Sequence, residues 1–175
     1  NQLINGMLEL AHLNRNKNIL FPDLRIDEPV INAVQSVKAK YPDRKIHLKI
    51  EYPENEDNLF IKGNSEMLEM AFRNLLDNAL KFSKDEIEVM VKPTGKNINV
   101  RITDHGIGIP YDDIIKILKP FERGKNVGYI DGWGVGLSIV KQIAELHTAL
   151  IEIKSKENDG TSVELIFKKK NTLPD

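Results

Sequence analysis

Cysteine is absent from this chain of 175 residues, which excludes a disulfide framework, a thiolate metal site and a cysteine nucleophile. No apolar run approaches the roughly 18 residues that would span a membrane. Positive charge is not in excess either, because the formal net charge is −1. This balance gives no support for nucleic acid or a membrane surface as a partner. The chain opens with Asn-Gln and no basic stretch, so we predict no signal peptide and expect a piece of a longer protein.

The composition favours one folded unit with a short appendage. Of the residues, 41% are apolar and 29% are charged, which is enough for one sizeable core. Residues 1 to about 17 carry an amphipathic stripe that so short a helix cannot bury alone. We expect this helix to pack on a partner helix; the alternative is a terminal helix that lies on its own domain.

Hydrophobic periodicity predicts an α+β fold, with helices on one face of a single sheet. A first helix is predicted at about 27–41, with Asp27 as its N-cap. A second helix is predicted to follow a cap at Asn64 or Ser65 and to end near 82, and a third at 135–147. Strands are predicted at 21–26, 46–52, 60–63, 87–92, 97–103, 149–155 and 162–167. The stretch from 104 to 134 has no regular pattern, which in a compact domain usually marks a functional lid or disorder.

A polar stripe runs along the middle helix. At about 100° per residue, Asn74, Asn78 and Lys81 fall within roughly 60° of one another. Asparagine is a weak helix former, so two of them one turn apart favour a ligand site over a solvated face. An amide oxygen can ligate a hard cation, and a lysine can meet a phosphate. Taken singly, each residue has a plainer alternative: a cap or loop contact for either asparagine, and a solvated position for the lysine.

Two glycine motifs bracket the irregular stretch. Asp104-His105-Gly106-Ile107-Gly108 follows a strand, and Gly132-Trp133-Gly134-Val135-Gly136-Leu137 opens a helix. Free amides at a helix N-terminus can bind phosphate. Either motif alone is weak, because a tight turn before a helix has the same pattern. The spacings of the dinucleotide fingerprint and of the Walker-type loop are both missing from the sequence.

Five short motifs follow one another in a specific order. They are Asn-x-x-x-Asn-x-x-Lys at 74–81, Asp-x-Gly-x-Gly at 104–108, Phe-x-Arg-Gly at 121–124, Gly-x-Gly-x-Gly-Leu at 132–137 and Gly-Thr at 160–161. Together they resemble the N, G1, F, G2 and G3 boxes of the catalytic ATP-binding domain of sensor histidine kinases. The resemblance covers about residues 21–170 and is close over 64–168.

The resemblance implies a Bergerat fold. This fold is a two-layer α/β sandwich, with a mixed sheet of about five strands, three main helices on one face and a long ATP lid, here preceded by an N-terminal helix. It divides the chain into the tail of a dimerisation helix with its linker (1–20), the ATP-binding catalytic domain (21–170) and a C-terminal tail (171–175). Residues 110–132 would form the lid.

The resemblance also assigns roles at the phosphate end of the site. Asn78 matches the amide that ligates Mg²⁺ on the ATP phosphates, and Asn74 matches its neighbour near the phosphates and the metal. Lys81 would contact phosphate, and Arg123 matches a basic residue that can reach the γ-phosphate. Phosphates would be cradled by Gly132, Gly134, Gly136 and the amide of Leu137.

At the base end, Asp104 matches the carboxylate that accepts a hydrogen bond from the adenine N6 amine. Gly106 and Gly108 would let the base and the lid approach, and Thr161 would support the adenine site. Phe82 would wall the nucleotide pocket, and Ile109 is a further predicted contact. The expected ligands are therefore ATP and Mg²⁺.

The residue type at position 74 distinguishes the kinases of this fold from its ATP hydrolases. Gyrase-like ATPases of this fold place there a Glu that activates water, whereas an amide cannot take a proton near pH 7. We therefore expect transfer of the γ-phosphate to a histidine. None of the histidines of this chain (His12, His47, His105 and His147) has the context of the phosphoacceptor of the family, and no catalytic role is assigned to His105.

The family pattern implies partners outside this chain. They are a dimerisation and phosphoacceptor domain of the same protein and a response regulator. The full-length protein is expected to be a homodimer, the fragment a monomer, and its location cytoplasmic, with a membrane anchor possible upstream. Alternatives are a serine kinase of the anti-sigma-factor type, a degenerate nucleotide-binding regulatory module and an ATP hydrolase. One departure is Thr148-Ala149, where the family often has Gly-Gly; it should alter only a turn.

Overall fold

The computed structural model describes residues 21–128, 130 and 132–170. The predicted dimerisation-helix tail at 1–20 and the C-terminal tail at 171–175 lie outside the described residues. Three α-helices are present, α1 (Asp27–Lys40), α2 (Ser65–Phe82) and α3 (Gly136–Leu146). The strands are β1 (Asp23–Arg25), β2 (Ile46–Ile50), β3 (Phe60–Lys62), β4 (Ile87–Thr94), β5 (Asn97–Asp104), β6 (Leu150–Ser155) and β7 (Thr161–Lys168).

The main sheet has five strands in the order β2-β4-β5-β7-β6. β2 lies parallel to β4, and every other neighbouring pair is antiparallel. β1 and β3 form a separate antiparallel pair. The mixed five-stranded sheet and the α+β class confirm the predicted fold. No helix among residues 21–128, 130 and 132–170 is both long and apolar enough to cross a membrane.

One face of the sheet is apolar and carries the helices. Alternate residues of the three central strands are buried: Val89 and Val91, Val100 and Ile102, Leu165 and Phe167. This period of two is what the alternating sequence predicts. α2 lies in the middle of the helical layer, between α1 and α3 and over β5. Its large buried side chains, Leu68, Phe72 and Leu76 among them, each stabilise the fold by about 1.5–3 kcal/mol through burial.

The predicted caps have different outcomes. Asn64 caps α2, since its side-chain oxygen accepts a hydrogen bond from the Met67 amide at 2.9 Å. The prediction that Asp27 caps α1 is wrong. Asp27 lies inside the first turn, no side-chain cap bond forms, and its carboxylate pairs with Arg25 at 3.0 Å. A charged guanidinium two residues away competes with neutral backbone amides and forms the stronger hydrogen bond.

His147 joins the start of α2, the helix with the asparagine motif, to the end of α3, the helix that follows the second glycine motif. Its Nε2 accepts a hydrogen bond from the Asn64 amide at 3.0 Å, and its Nδ1 lies 2.7 Å from the Ile143 carbonyl oxygen. An amide can only donate and a carbonyl can only accept, so the ring is neutral with its proton on Nδ1. Burial lowers the pKa of His147, which agrees with this state.

The neutral state of His147 predicts a pH dependence of stability. Its folded pKa is depressed, so its contribution is complete above the ordinary value of about 6.5 and is lost as the pH falls below that value. We expect the free energy of unfolding in urea to fall more between pH 7 and pH 5.5 in the wild type than in His147→Gln. A slope in His147→Gln equal to that of the wild type would contradict the assignment.

Thr148 occupies a position that favours glycine. The Ala149 amide bonds the Ala144 carbonyl at 2.9 Å and the Thr148 amide bonds the Glu145 carbonyl at 3.1 Å, which is the Schellman pattern of a helix end. Thr148 has φ +51°, a left-handed conformation in which a side chain is strained. The departure from Gly-Gly thus places a strained residue in the turn between α3 and β6.

Replacing Thr148 by glycine should therefore stabilise the fold. Glycine relieves the left-handed strain, and this relief exceeds the cost of ordering a more flexible residue on folding. We therefore expect the free energy of unfolding to rise by about 0.5–1 kcal/mol. Urea unfolding measures the gain. Thr148→Ala is the matched control, because it removes the β-branch but keeps the β-carbon, and it should gain less than the glycine variant. A glycine variant no more stable than the alanine variant would contradict the prediction.

Candidate functional site

A cavity of about 620 Å³ opens between α2, the start of α3, the ends of β5 and β7, and the segment from 107 to 136. All but one of the residues predicted for the site line this cavity. They are Asn74, Asn78, Lys81, Phe82, Asp104, Gly108, Ile109, Arg123, Gly132, Gly134, Gly136, Leu137 and Thr161. The exception is Gly106. Among described residues that the sequence analysis did not assign to the site, Lys40, Tyr41, Arg44 and Asn126 also line the cavity.

The two asparagines of α2 face the first turn of α3. The Asn74 Nδ2 donates to the Met70 carbonyl at 3.0 Å. A β-carbon added at Gly136 would lie 3.1 Å from the Asn74 Oδ1 and 3.6 Å from the Asn78 Nδ2. The first amides of an α-helix have no partner within the helix, and no side-chain cap bond forms at the start of α3. Side-chain amides and free backbone amides thus meet at one end of the cavity, where an anion would be stabilised.

Two cationic side chains lie beside this end. The Lys81 Nζ lies against Gly132 and 4.8 Å from the centre of the Phe82 ring. Arg123 is exposed, and its guanidinium donates to the Ile130 carbonyl. The Lys81 ammonium therefore lies where the chain at Gly132 passes over α2. The Arg123 guanidinium is instead held by the Ile130 carbonyl, a little earlier in the same loop.

Asp104 ends β5 at the other side of the cavity. It is 8% exposed, and its Oδ1 accepts a hydrogen bond from the Gly106 amide at 2.8 Å. Burial raises the pKa of Asp104, while hydrogen bonds from the Gly106 and Thr161 amides act in the opposite direction. The carboxyl is thus oriented by backbone donors, and its remaining lone pairs can accept from a ligand.

Gly106 has a different place from the predicted one. It does not line the cavity, because it packs against the end of α2. A β-carbon at Gly106 would overlap the Phe82 carbonyl, and the Ile107 amide bonds the same carbonyl at 3.2 Å. Gly106 therefore lets the loop close on the helix. Gly108 has φ +63°, and a β-carbon there would overlap the Lys156 carbonyl, so the turn between β6 and β7 covers it.

Sequence reasoning missed two residues that organise the cavity walls. Arg44 donates to the carbonyls of Leu80 at 3.0 Å and Ser83 at 2.6 Å, where the end of α2 leaves acceptors unpaired. Asn126 donates to the Gly108 carbonyl at 2.9 Å and ties the long segment to the loop after β5. An unpaired helix end is a signal for a nearby cation, but nothing local in the sequence says which residue supplies it.

The long segment contains two short 3-10 turns, Tyr111–Asp113 and Lys116–Leu118. Asp113 is 1% exposed, and its carboxylate accepts from the Lys125 amide at 2.8 Å and from the Lys116 Nζ at 3.3 Å. These bonds hold the pKa of Asp113 below its ordinary value. Trp133, the single tryptophan of the chain, lines the cavity and is 56% exposed.

The fold is a two-layer sandwich, a mixed sheet covered by three helices, and one cavity holds both the uncapped start of α3 and the buried acceptor Asp104. A family model described as "Histidine kinase-, DNA gyrase B-, and HSP90-like ATPase" matches residues 63–171. The chain belongs to this family.

Relatives of this chain carry the names of sensor kinases. Sensor histidine kinase YkoH of Bacillus subtilis (strain 168) is 29% identical over 172 residues, which cover 97% of this chain and 37% of the relative. Signal transduction histidine-protein kinase ArlS of Staphylococcus haemolyticus (strain JCSC1435) is 31% identical over 181 residues, which cover 96% and 38%. The chain thus spans less than two fifths of the length of these relatives.

A solved structure has the same fold. Full-length ShkA in complex with AMPPNP matches with a TM-score of 0.76 and 19% identity, over 95% of this chain and 35% of that one. The family and the relatives make this chain an ATPase domain of the histidine kinase type and do not favour the serine kinase alternative.

Proposed function

We propose that this domain binds Mg-ATP and transfers its γ-phosphate to a histidine on a dimerisation domain of the same protein. The observation that carries the proposal is Asn74, an amide at the position where a water-activating carboxylate would stand. Its Nδ2 is bonded to the Met70 carbonyl, and its Oδ1 is turned towards Gly136. An amide in this place can orient a ligand but cannot act as a general base.

In this proposal each end of the cavity would have a part in binding. Asp104 would accept a hydrogen bond from the adenine amine, next to Thr161. The phosphates would lie between the polar stripe of α2 and the first amides of α3, where Lys81 and the helix N-terminus offset their charge. The ShkA match, which is a complex with AMPPNP, supports a nucleotide in this fold.

The donor set fits Mg²⁺ held largely by its substrate. No group of three or more His, Cys, Asp or Glu in residues 21–128, 130 and 132–170 could cage a metal ion. Magnesium in phosphoryl-transfer sites usually takes one or two protein oxygens and completes its shell with phosphates and water. Asn78 would supply such an oxygen, and the ion would neutralise charge on the β- and γ-phosphates.

The reaction needs little covalent chemistry from this chain. The imidazole nitrogen of the acceptor forms a bond to the γ-phosphorus as the bond to the β,γ-bridging oxygen breaks, and ADP leaves. Positioning and charge neutralisation supply most of the catalysis in such transfers. Lys81 and the α3 amides would hold the phosphates in line, and Arg123 would need to leave the Ile130 carbonyl to reach the γ-phosphate.

A transfer assay tests the proposal. The fragment is mixed with a separately made dimerisation hairpin of the whole protein, Mg²⁺ and ATP labelled on the γ-phosphate. We expect acid-labile label on the hairpin and none when its acceptor histidine is replaced by glutamine. Acid-stable label on serine would favour a serine kinase. ATP binding without transfer would favour a degenerate module that only reports on nucleotide.

The wider assembly follows from the same proposal. We propose that the whole protein is a homodimer that passes the phosphate on to a response regulator, and that this domain works in the cytoplasm, where ATP is available. The fragment itself should be a monomer.

A further inference from the structure

The Ser155 hydroxyl, at the end of β6, makes three short contacts behind the cavity wall. It accepts a hydrogen bond from the Ile109 amide at 2.8 Å. It donates to the Gly160 carbonyl at 2.8 Å and lies 2.8 Å from the Thr161 Oγ1. Ile109 and Thr161 both line the cavity, whereas Ser155 does not.

A count of protons fixes the direction of each bond. Two oxygens 2.8 Å apart need one hydrogen between them. The Gly160 carbonyl has none, so the single hydroxyl proton of Ser155 goes there. The contact between Ser155 and Thr161 then needs the proton of Thr161. The hydroxyl of Thr161 is therefore committed as a donor to Ser155 and can only accept on its other side.

Thr161 stands beside the second acceptor of this end of the cavity. In the sheet it pairs with Asp104 of β5 on one side and with Ser155 of β6 on the other. Asp104, when ionised, has no proton to donate. Its carboxyl and the Thr161 hydroxyl thus present lone pairs, without a hydroxyl proton, to a ligand at the base end.

We propose that Ser155 is a positioning residue that sets the selectivity of this site for a purine with an amino group at position 6. The inference rests on the proposed ATP site. An exocyclic amine, directly or through a bridging water, donates to these acceptors. A purine with a carbonyl at position 6 brings a third acceptor to them, and polar groups left unpaired in a buried site are costly. Without Ser155, the Thr161 hydroxyl could turn and donate to that carbonyl.

The test compares the affinities of Mg-ATP and Mg-ITP by calorimetric titration. The two bases differ at position 6, amino or oxo, and at N1, which is an acceptor in adenine and an N–H donor in hypoxanthine, so the effect of each substitution is read as a change in the ratio of the two affinities. The wild type is expected to prefer ATP. Ser155→Ala should lower the ratio of the two affinities by about tenfold. In a Thr161→Val background, which has no hydroxyl to release, the further change Ser155→Ala should leave the ratio unaltered.

Two outcomes would overturn the proposal. One is an unchanged ratio in Ser155→Ala, and the other is an equal change in the Thr161→Val background, which would mean that Ser155 acts through the Ile109 amide. If circular dichroism shows that Ser155→Ala does not fold, Ser155→Cys replaces it. A thiol has a similar size but is a poor acceptor, so we expect the same drop in the affinity ratio. Failure of the wild type to bind ATP would refute the proposed function itself, whereas binding with the wrong selectivity pattern refutes only this inference.

Discussion

Replacing Asn78 by alanine is expected to lower Mg-dependent phosphoryl transfer by at least about a hundredfold, as the loss of one preorganised polar group at a reacting centre does. The amide lies on α2 at the phosphate end of the cavity, facing the first turn of α3. Its oxygen is the protein ligand that we propose for Mg²⁺. Because alanine is a better helix former than asparagine, α2 should remain folded.

The transfer assay and a urea unfolding curve together measure this prediction. Asn99→Ala is the matched control. It makes the same chemical change on β5, and Asn99 does not line the cavity. It should transfer phosphate at the wild-type rate. If Asn78→Ala were as active as this control at saturating Mg²⁺, the proposed metal ligand would be wrong.

Replacing Asp104 by asparagine is expected to weaken ATP binding by about 10- to 100-fold. The amide can still accept the hydrogen bond from the Gly106 amide through its oxygen. Its nitrogen would then face the adenine amine, so that two donors meet and one remains unpaired. The loss should appear in affinity, because this contact holds the base and not the reacting phosphate.

Tryptophan fluorescence can follow this loss directly. Trp133 is the single tryptophan of the chain and lines the cavity, so a bound nucleotide should change its emission. Asp85→Asn, at an exposed position, is the matched control and should titrate like the wild type. An ATP affinity that survives Asp104→Asn unchanged would refute the role of Asp104 at the base.

The regular elements could be predicted because their signals are local. The alternation at 87–92 and 97–103 predicts the hairpin, which the structure extends to Ile87–Thr94 and Asn97–Asp104. The apolar arc of α2 predicts a helix that follows a cap at Asn64 or Ser65 and ends near Phe82, and the structure has the helix at Ser65–Phe82. In both cases the spacing of apolar side chains along the segment is enough to predict the element, without knowledge of the residues that pack on it.

The errors arise where a distant or competing partner decides. Asp27 has the right residue type for a cap, but Arg25 takes its carboxylate. Gly106 belongs to a ligand-type motif, yet the carbonyl end of α2 fills the space beside it. Asn126 and Arg44 bind carbonyls 18 and 36 or more positions away, and no periodicity marks such contacts. The order of the motifs singled out a group of residues that line one cavity, but it did not predict how their side chains are oriented.

The central claim, that this domain gives its phosphate to a histidine and not to water, is tested most directly by the fate of the γ-phosphate. In a reaction with Mg-ATP and the dimerisation hairpin, phosphohistidine and free phosphate are measured over the first turnover. The account predicts about one phosphohistidine for each ATP consumed and little free phosphate, because Asn74 cannot activate water. Free phosphate released at the same rate with and without the hairpin, and no phosphohistidine, would contradict it.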